Sequence, residues 1–311
     1  MNLKMIYSEK IEITACPPFS FDLSCEIFAN GDKQIRNSEN GRFWQVIRVN
    51  GKLVLATVAS TGTVEKPKLT VNLKSGKAIT EADKETAGDA VKALFSLDLD
   101  LKPFYETVKN DEVMVHLTSK LWGLKNPTTP TIFEAMVDAI VEQQISLKVA
   151  NSLEARIIRR FGDALNLEGE VYFVYPTPQQ LASVSIEEFR QCGLSYRKAE
   201  YIKEASALIT EGKLNLENLK TYESSEQIIR ELDEVRGVGV WTAEFTLLRG
   251  MLRLDALPAD DLGLRRVISR YYRGGKVISS AEARRIAESW GGWKGLAAYY
   301  LVVADMKDLE V

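Results

Sequence analysis

The sequence predicts an α+β protein: a small N-terminal antiparallel sheet domain with packed helices, followed by a mostly α-helical core. Three observations predict it. Asn50-Gly51, a pair that favours the tight turn of a β-hairpin, lies between two β-rich runs. From about residue 80 the apolar residues recur at helical rather than alternating spacing. Beyond residue 125 the helical stretches are separated by short proline-containing breaks. We divide the chain into residues 1–115 and 116–311 on this basis.

Each element has a local cause. Phe43 to Val49 is a β-rich run, and Lys52 to Val58 is its return strand across the Asn50-Gly51 turn. Leu69 to Leu73 alternates and forms a third strand, with Pro67 placed at its start. Thr80 to Leu97 has helical spacing, with Ala87, Val91, Leu94 and Phe95 on one face, although Gly88 weakens it. Phe19, Phe21 and Phe28 belong to the core of this sheet region. From about residue 100 the chain reads as helical. Asn126-Pro127-Thr128-Thr129-Pro130 is a loop. Thr131 opens a helix whose Phe133, Met136, Val137, Ile140 and Val141 share a face. Thr177 is an N-cap with Pro178 at the first helical position, and Ser185 to Glu188 resembles a capping box. There is no internal repeat and no low-complexity tract.

Composition narrows the function classes. The chain has 311 residues, 45% hydrophobic and 27% charged, enough for a sizeable core. No apolar run reaches the length of a membrane span, and Met1 to Ile13 lacks the apolar segment of a signal peptide. Cys16, Cys25 and Cys192 are too few for a disulfide framework or a four-cysteine metal site, and His116 is the single histidine. A cytoplasmic location is expected, nucleoid-associated in a prokaryote, with no membrane partner. The net charge of −3 argues mildly against nucleic acid, but residues 236–311 carry more Lys and Arg than Asp and Glu.

Val235-Arg236-Gly237-Val238-Gly239-Val240-Trp241-Thr242-Ala243 carries the most information. A helix ends near Val235 and another begins near Val240. Gly-x-Gly between them permits a very tight turn and close approach of backbone to a ligand. The first N–H groups of the second helix, with its positive dipole end, suit a phosphate. An ordinary helical hairpin with a glycine turn reads the same way.

This string resembles the helix-hairpin-helix (about residues 228–250) of the base-excision DNA glycosylases, with Val235-Arg236 where the family has Leu-Pro. Leu257 to Arg266 resembles the family's aspartate segment, with Asp261 at the catalytic position about twenty residues after the hairpin. Phe133-Glu134 through Glu142-Gln143-Gln144-Ile145-Ser146 is similar to the 3-methyladenine DNA glycosylase II branch. So are Pro176 to Ala182 with Gly193-Leu194 and Arg197-Lys198-Ala199, and Trp290 to Lys294 with Ala297-Ala298. The likeness covers residues 130–305 in matching order and reaches the N-terminal part more loosely.

The resemblance implies an enzyme that removes alkylated purines, such as 3-methyladenine and 7-methylguanine, from double-stranded DNA containing damaged bases. Asp261 would stabilise the oxocarbenium-like sugar or orient water, with Asp260 left to cap the helix from Leu262. Trp241 stands where lyase-competent relatives place a lysine, so a monofunctional enzyme is expected; no lysine lies between Lys220 and Lys276. Trp241 and Phe245, one turn apart, would stack the flipped base, whose positive charge aromatic faces attract. A tryptophan of that branch falls on Val302, and Tyr299 is the candidate substitute in the pocket. Gln144 matches the wedge that fills the gap left by the base. Gly237, Val238, Gly239 and Thr242 would meet the DNA. The carbonyls of Asp233, Val235 and Val238 would hold a monovalent cation, sodium or potassium. No other cofactor is required, and a monomer is expected. Arg265, Arg266, Arg270 and Arg273 read as a solvated face. The alternatives are a glycosylase for hypoxanthine or another deaminated base, and a non-catalytic DNA-binding protein using the hairpin alone.

Overall fold

The computed structural model describes residues 5–29 and 31–310. Strands β1 (Tyr7–Thr14), β2 (Arg36–Glu39), β3 (Arg42–Val49), β4 (Lys52–Ser60) and β5 (Lys68–Ser75) form one antiparallel sheet in the order β1-β5-β4-β3-β2. The β3–β4 turn is the expected one. Asn50 and Gly51 both have positive φ, 45° and 76°, which the primed hairpin turn requires. Its register pairs Val49 with Lys52.

Two-residue periodicity splits the strands between two faces. Phe43, Ile47, Val54, Ala56 and Val58 face a core shared with α1 (Phe21–Cys25) and α2 (Glu81–Leu94). Phe19 and Phe21 lie in that core, with Phe28 packed against it, as expected. Thr80 caps α2 through a reciprocal capping box with Asp83.

Val46 and Leu55 face the other way, and here the structure corrects the expectation of an all-helical chain beyond residue 100. A hairpin of β6 (Asp163–Leu167) and β7 (Glu170–Val174) lays Leu165, Leu167 and Val174 on them. Arg48 donates to Asp163 at 2.6 Å and Lys74 to Glu168 at 2.9 Å across the same junction. The helical part thus grips the sheet with a hairpin of its own.

Around the hairpin run α3 (Lys102–Val108), α4 (Glu112–Lys120), α5 (Ile132–Glu142), α6 (Leu147–Phe161), α7 (Pro178–Ser183), α8 (Ile186–Gln191), α9 (Tyr196–Thr210), α10 (Leu216–Leu219) and α11 (Ser225–Asp233). After them come α12 (Val240–Met251), α13 (Leu262–Tyr272), α14 (Ser280–Ala287), a short 3-10 stretch Glu288–Trp293, and α15 (Lys294–Met306). Thr131, Thr177 and Ser185 cap α5, α7 and α8, the last two with capping boxes.

The helices enclose two cores. One runs from Ile132 to Ala256; the other joins residues 101–124 to Leu248 and the C-terminal helices. The division expected at 115/116 therefore lies inside α4, whose Met114 and Leu117 both pack with the C-terminal helices. Helix α12 stands between the cores, with Leu247 in one and Leu248 in the other. Whatever α12 presents at its N-terminal end is set at the seam.

Candidate active site

The turn between α11 and α12 needs glycine at position 237 twice over. Its φ is +88°, and a Cβ there would sit 2.2 Å from the Tyr201 ring. Arg236 locks the turn to α9 by pairing with Glu204 at 2.6 Å and Glu200 at 3.1 Å, its guanidinium over Tyr201. Gly239 is the N-cap of α12, and nothing lies within 4 Å of where its Cβ would be. No side chain caps this helix end, so its first N–H groups stay free for an anion.

The expected contact residues divide. Gly237, Gly239 and the backbone of Val238 lie on the turn, but the Val238 side chain is buried. Thr242 is corrected: its hydroxyl is buried and accepts from Gln143 Nε2 at 2.9 Å, so only its backbone can face a ligand. Of the three carbonyls assigned to a cation, that of Val235 accepts from Val238 N–H at 2.9 Å. A carbonyl has two lone pairs, so this one keeps the second. The Asp233 and Val238 carbonyls receive no turn or side-chain hydrogen bond. Hard oxygen donors of this kind fit sodium or potassium.

Asp261 is the N-cap of α13 and accepts from Leu264 N–H at 2.7 Å. The division that gave the cap to Asp260 is thereby overturned. Asp260 is exposed and faces Arg284 at 3.4 Å. Capping uses one oxygen of Asp261, Oδ1, beside Gly263, whose absent Cβ would stand 3.1 Å away. The half-buried carboxylate keeps its other oxygen for further work.

Arg284, which sequence reasoning missed, ties this segment to α12. It donates to both oxygens of buried Glu244 at 2.6 and 3.0 Å, and to the Leu257 carbonyl at 3.0 Å.

Along α12 the half-buried rings of Trp241 and Phe245 stack on each other, centroids 5.4 Å apart at 27°. They share a face as expected, but a base does not fit between them. That needs roughly 7 Å, twice the carbon–carbon contact distance. Arg249, one turn on, lies over Phe245 at 5.3 Å and pairs with Glu142 at 3.1 Å. Phe245 is thus flanked by Trp241 and Arg249, and the outer face of Trp241 remains. Glu142 connects this stack to the capping aspartate: burial raises its pKa, and the Asp261 charge adds to that rise.

Tyr299 is 8% exposed, and the Arg249 charge reaches it. Among the described residues its hydroxyl has no partner, nor has Trp241 Nε1, although both atoms are buried. Burial raises the Tyr299 pKa well above the ordinary phenol range. A buried donor without a partner calls for an explanation, and a ligand is one.

Behind the stack, Glu134, Asp138 and Glu154 bring carboxylate oxygens within 4.8 Å of one another. Arg36, from β2, reaches in and pairs with Glu134 at 3.0 Å and Glu154 at 2.7 Å. Burial holds Glu134 up at about 7 and Asp138 well above the carboxylate range, and Tyr175 donates to Asp138 at 2.9 Å. Arg36 brings positive charge to this cluster, and burial favours the neutral form of Glu134 and Asp138.

Gln144 stands exposed between α5 and α6 with φ of +58°, a left-handed conformation that costs a non-glycine residue about 1–2 kcal/mol. Of the four arginines read as a solvated face, Arg270 pairs with Asp305 and Asp308 and Arg273 with Glu282. Arg266 is mostly exposed, and Arg265 donates to the Ile278 carbonyl.

Comparison with known proteins gives the family and the fold. Residues 137–292 match the HhH-GPD superfamily of base excision DNA repair proteins. A Bacillus subtilis DNA-3-methyladenine glycosylase is 29% identical over 231 residues, 74% of this chain and 75% of its own. The solved 3-methyladenine DNA-glycosylase of Archaeoglobus fulgidus superposes with a TM-score of 0.83 at 27% identity, over 97% of this chain and all of that one. A Clostridium acetobutylicum 8-oxoguanine glycosylase/lyase bound to DNA shares the fold, with a TM-score of 0.76 at 20% identity over 99% of this chain and 100% of that one.

Proposed function

Because this chain belongs to the HhH-GPD superfamily of base excision DNA repair proteins, we propose that it is a monofunctional DNA glycosylase. It flips alkylated purines of the 3-methyladenine and 7-methylguanine type out of duplex DNA and hydrolyses their bond to deoxyribose. The observation that carries this reading is Asp261. Its carboxylate is held by a helix N-terminus, keeps one oxygen free, and sits on a segment that Arg284 clamps to the helix bearing Trp241.

The chemistry follows from those groups. The C1′–N bond breaks, and the base leaves with the bonding pair, a cationic alkylpurine departing neutral. Positive charge appears on the sugar, and a fixed carboxylate beside it lowers the barrier. Water adds to C1′ and gives up a proton, which the free Asp261 oxygen can accept. The hairpin N–H groups and a monovalent cation on the Asp233, Val235 and Val238 carbonyls would hold phosphate. Gln144 would fill the space left in the stack.

A lyase step needs a free amine, and Trp241 has none. The lysine approaching this turn from α9, Lys198, has its ammonium engaged by the Val141 and Gln143 carbonyls. The orphaned Tyr299 hydroxyl would suit the C6 oxygen of a purine, which 7-methylguanine and hypoxanthine carry and 3-methyladenine lacks.

Duplexes carrying one defined lesion each, incubated with the protein and then treated with alkali, test the proposal. Strand cleavage is expected at 3-methyladenine and 7-methylguanine after alkali and none before it. Cleavage without alkali would overturn the monofunctional reading, and no cleavage at any lesion would favour a protein that binds DNA through the hairpin alone.

A further inference from the structure

We propose that Gln143 and Lys198 are positioning residues that join the wedge to the DNA-gripping hairpin, so that holding phosphate and extruding the base occur as one motion. This rests on the glycosylase reading.

The geometry is a chain of four hydrogen bonds. Gln143 Nε2 donates to the Gly237 carbonyl at 2.8 Å and to Thr242 Oγ1 at 2.9 Å, bridging the glycine turn and the first turn of α12. The Gln143 carbonyl accepts from Lys198 Nζ at 2.6 Å, and the same ammonium donates to the Val141 carbonyl at 2.8 Å. The residue next to Gln143 is the left-handed, exposed Gln144. A left-handed non-glycine residue persists only where its surroundings impose it. Here the imposed surroundings are a side chain and a carbonyl of Gln143, the one held by the hairpin and the other by α9.

Lys198 supports the point. Its partners are main-chain carbonyls at the end of α5, where a cation also meets the negative end of the helix dipole. Burial lowers its pKa, with no carboxylate to offset that cost. On the far side of the turn the first residues of α6 are open. Ser146 makes no side-chain cap, and Leu147 is 66% exposed. The turn therefore faces solvent on one side and is fastened to the hairpin on the other. A phosphate seated on the first N–H groups of α12 would fix where Gln144 enters the duplex.

The test uses the full chain with Gln143→Ala, Lys198→Met, Lys198→Arg, Gln144→Ala and the Gln143→Ala/Gln144→Ala pair. Three quantities are read: affinity for a lesion duplex, the fluorescence rise of 2-aminopurine at the target position, and single-turnover base release. Gln143→Ala and Lys198→Met should leave affinity within about threefold, yet lose most of the fluorescence rise and at least about tenfold of base release. Lys198→Arg should recover part of both. The double variant should be no slower than Gln144→Ala alone, since residues acting as one unit are not additive. Multiplying losses in the double variant, or an affinity loss as large as the rate loss, would overturn the proposal. Should Gln143→Ala fail to fold, the two Lys198 variants decide it. Should wild type release no base from any lesion, the glycosylase reading falls, and the fluorescence arm still decides whether Gln143 governs extrusion.

Discussion

Two sets of carboxylates are built in opposite ways. At the start of α13 Asp261 is half-buried, met by one backbone N–H at 2.7 Å and left with an unoccupied oxygen. Behind the aromatic stack, Glu134, Asp138 and Glu154 crowd together away from water, sharing Arg36 and retained protons. A carboxylate that must act on a transient positive charge is best fixed by rigid dipoles, which orient it without neutralising it. Carboxylates that only fasten two parts of a molecule can be neutralised outright. On the proposed reading the first kind acts on a rate and the second on stability, and substitution should separate them.

The largest effect belongs to Asp261→Asn. Asparagine can still cap α13 through its side-chain oxygen, so the fold should hold. Base release should fall by on the order of 10³-fold, roughly 4 kcal/mol of transition-state stabilisation, while affinity for the lesion duplex stays within a few-fold. Single-turnover release against duplex affinity measures both. A variant that releases base at the wild-type rate would move Asp261 into the merely structural set.

Next in size is Arg36→Met, which acts on the other set. It leaves Glu134 and Glu154 buried without their cation, and removing one partner of a buried pair costs about 3–5 kcal/mol. The loss should grow with pH. The folded-state pKa of Glu134, about 7, lies above its ordinary 4.5. Its favourable contribution is therefore complete below the unfolded value and fades as pH rises through about 7. Without Arg36 the carboxyl is held higher still, so thermal unfolding of the variant and wild type should diverge most on the alkaline side of that window. A constant gap from pH 5 to 8 would show that Arg36 does not control the protonation of Glu134.

How far the sequence reveals this contrast depends on how local each signal is. The Asn50-Gly51 turn and the caps at Thr177 and Ser185 each involve residues within one turn of each other, and all are legible. The β6–β7 hairpin is not, because its apolar side chains are ordered by Val46 and Leu55, more than a hundred residues away. At the site, the place of Asp261 after the hairpin is what makes it a candidate. Its role as cap is not legible, since Asp260 and Asp261 are equally able to begin a helix. Arg284, Gln143 and Lys198 escape notice for a different reason. Their partners are main-chain carbonyls or a carboxylate brought near only by folding, and no spacing in the chain announces such pairs.

The smallest effect refines the contrast where rate and stability meet. Tyr299 is buried, its hydroxyl without a partner among the described residues, a cost to the free protein that a ligand could remove. Tyr299→Phe keeps the ring and deletes that cost. The free protein should gain up to about 1 kcal/mol, seen as a rise of a few degrees in unfolding temperature. Release of 3-methyladenine, which has no C6 oxygen to meet the hydroxyl, should be nearly unchanged. Release of hypoxanthine, which carries one as 7-methylguanine does, should fall by more than tenfold, because a site that hydrogen-bonds one base rejects its absence sharply. A lowered unfolding temperature would mean that ordered water already satisfies the hydroxyl. Equal rates on both lesions would leave the aromatic faces and the Asp261 carboxylate as the whole of the recognition.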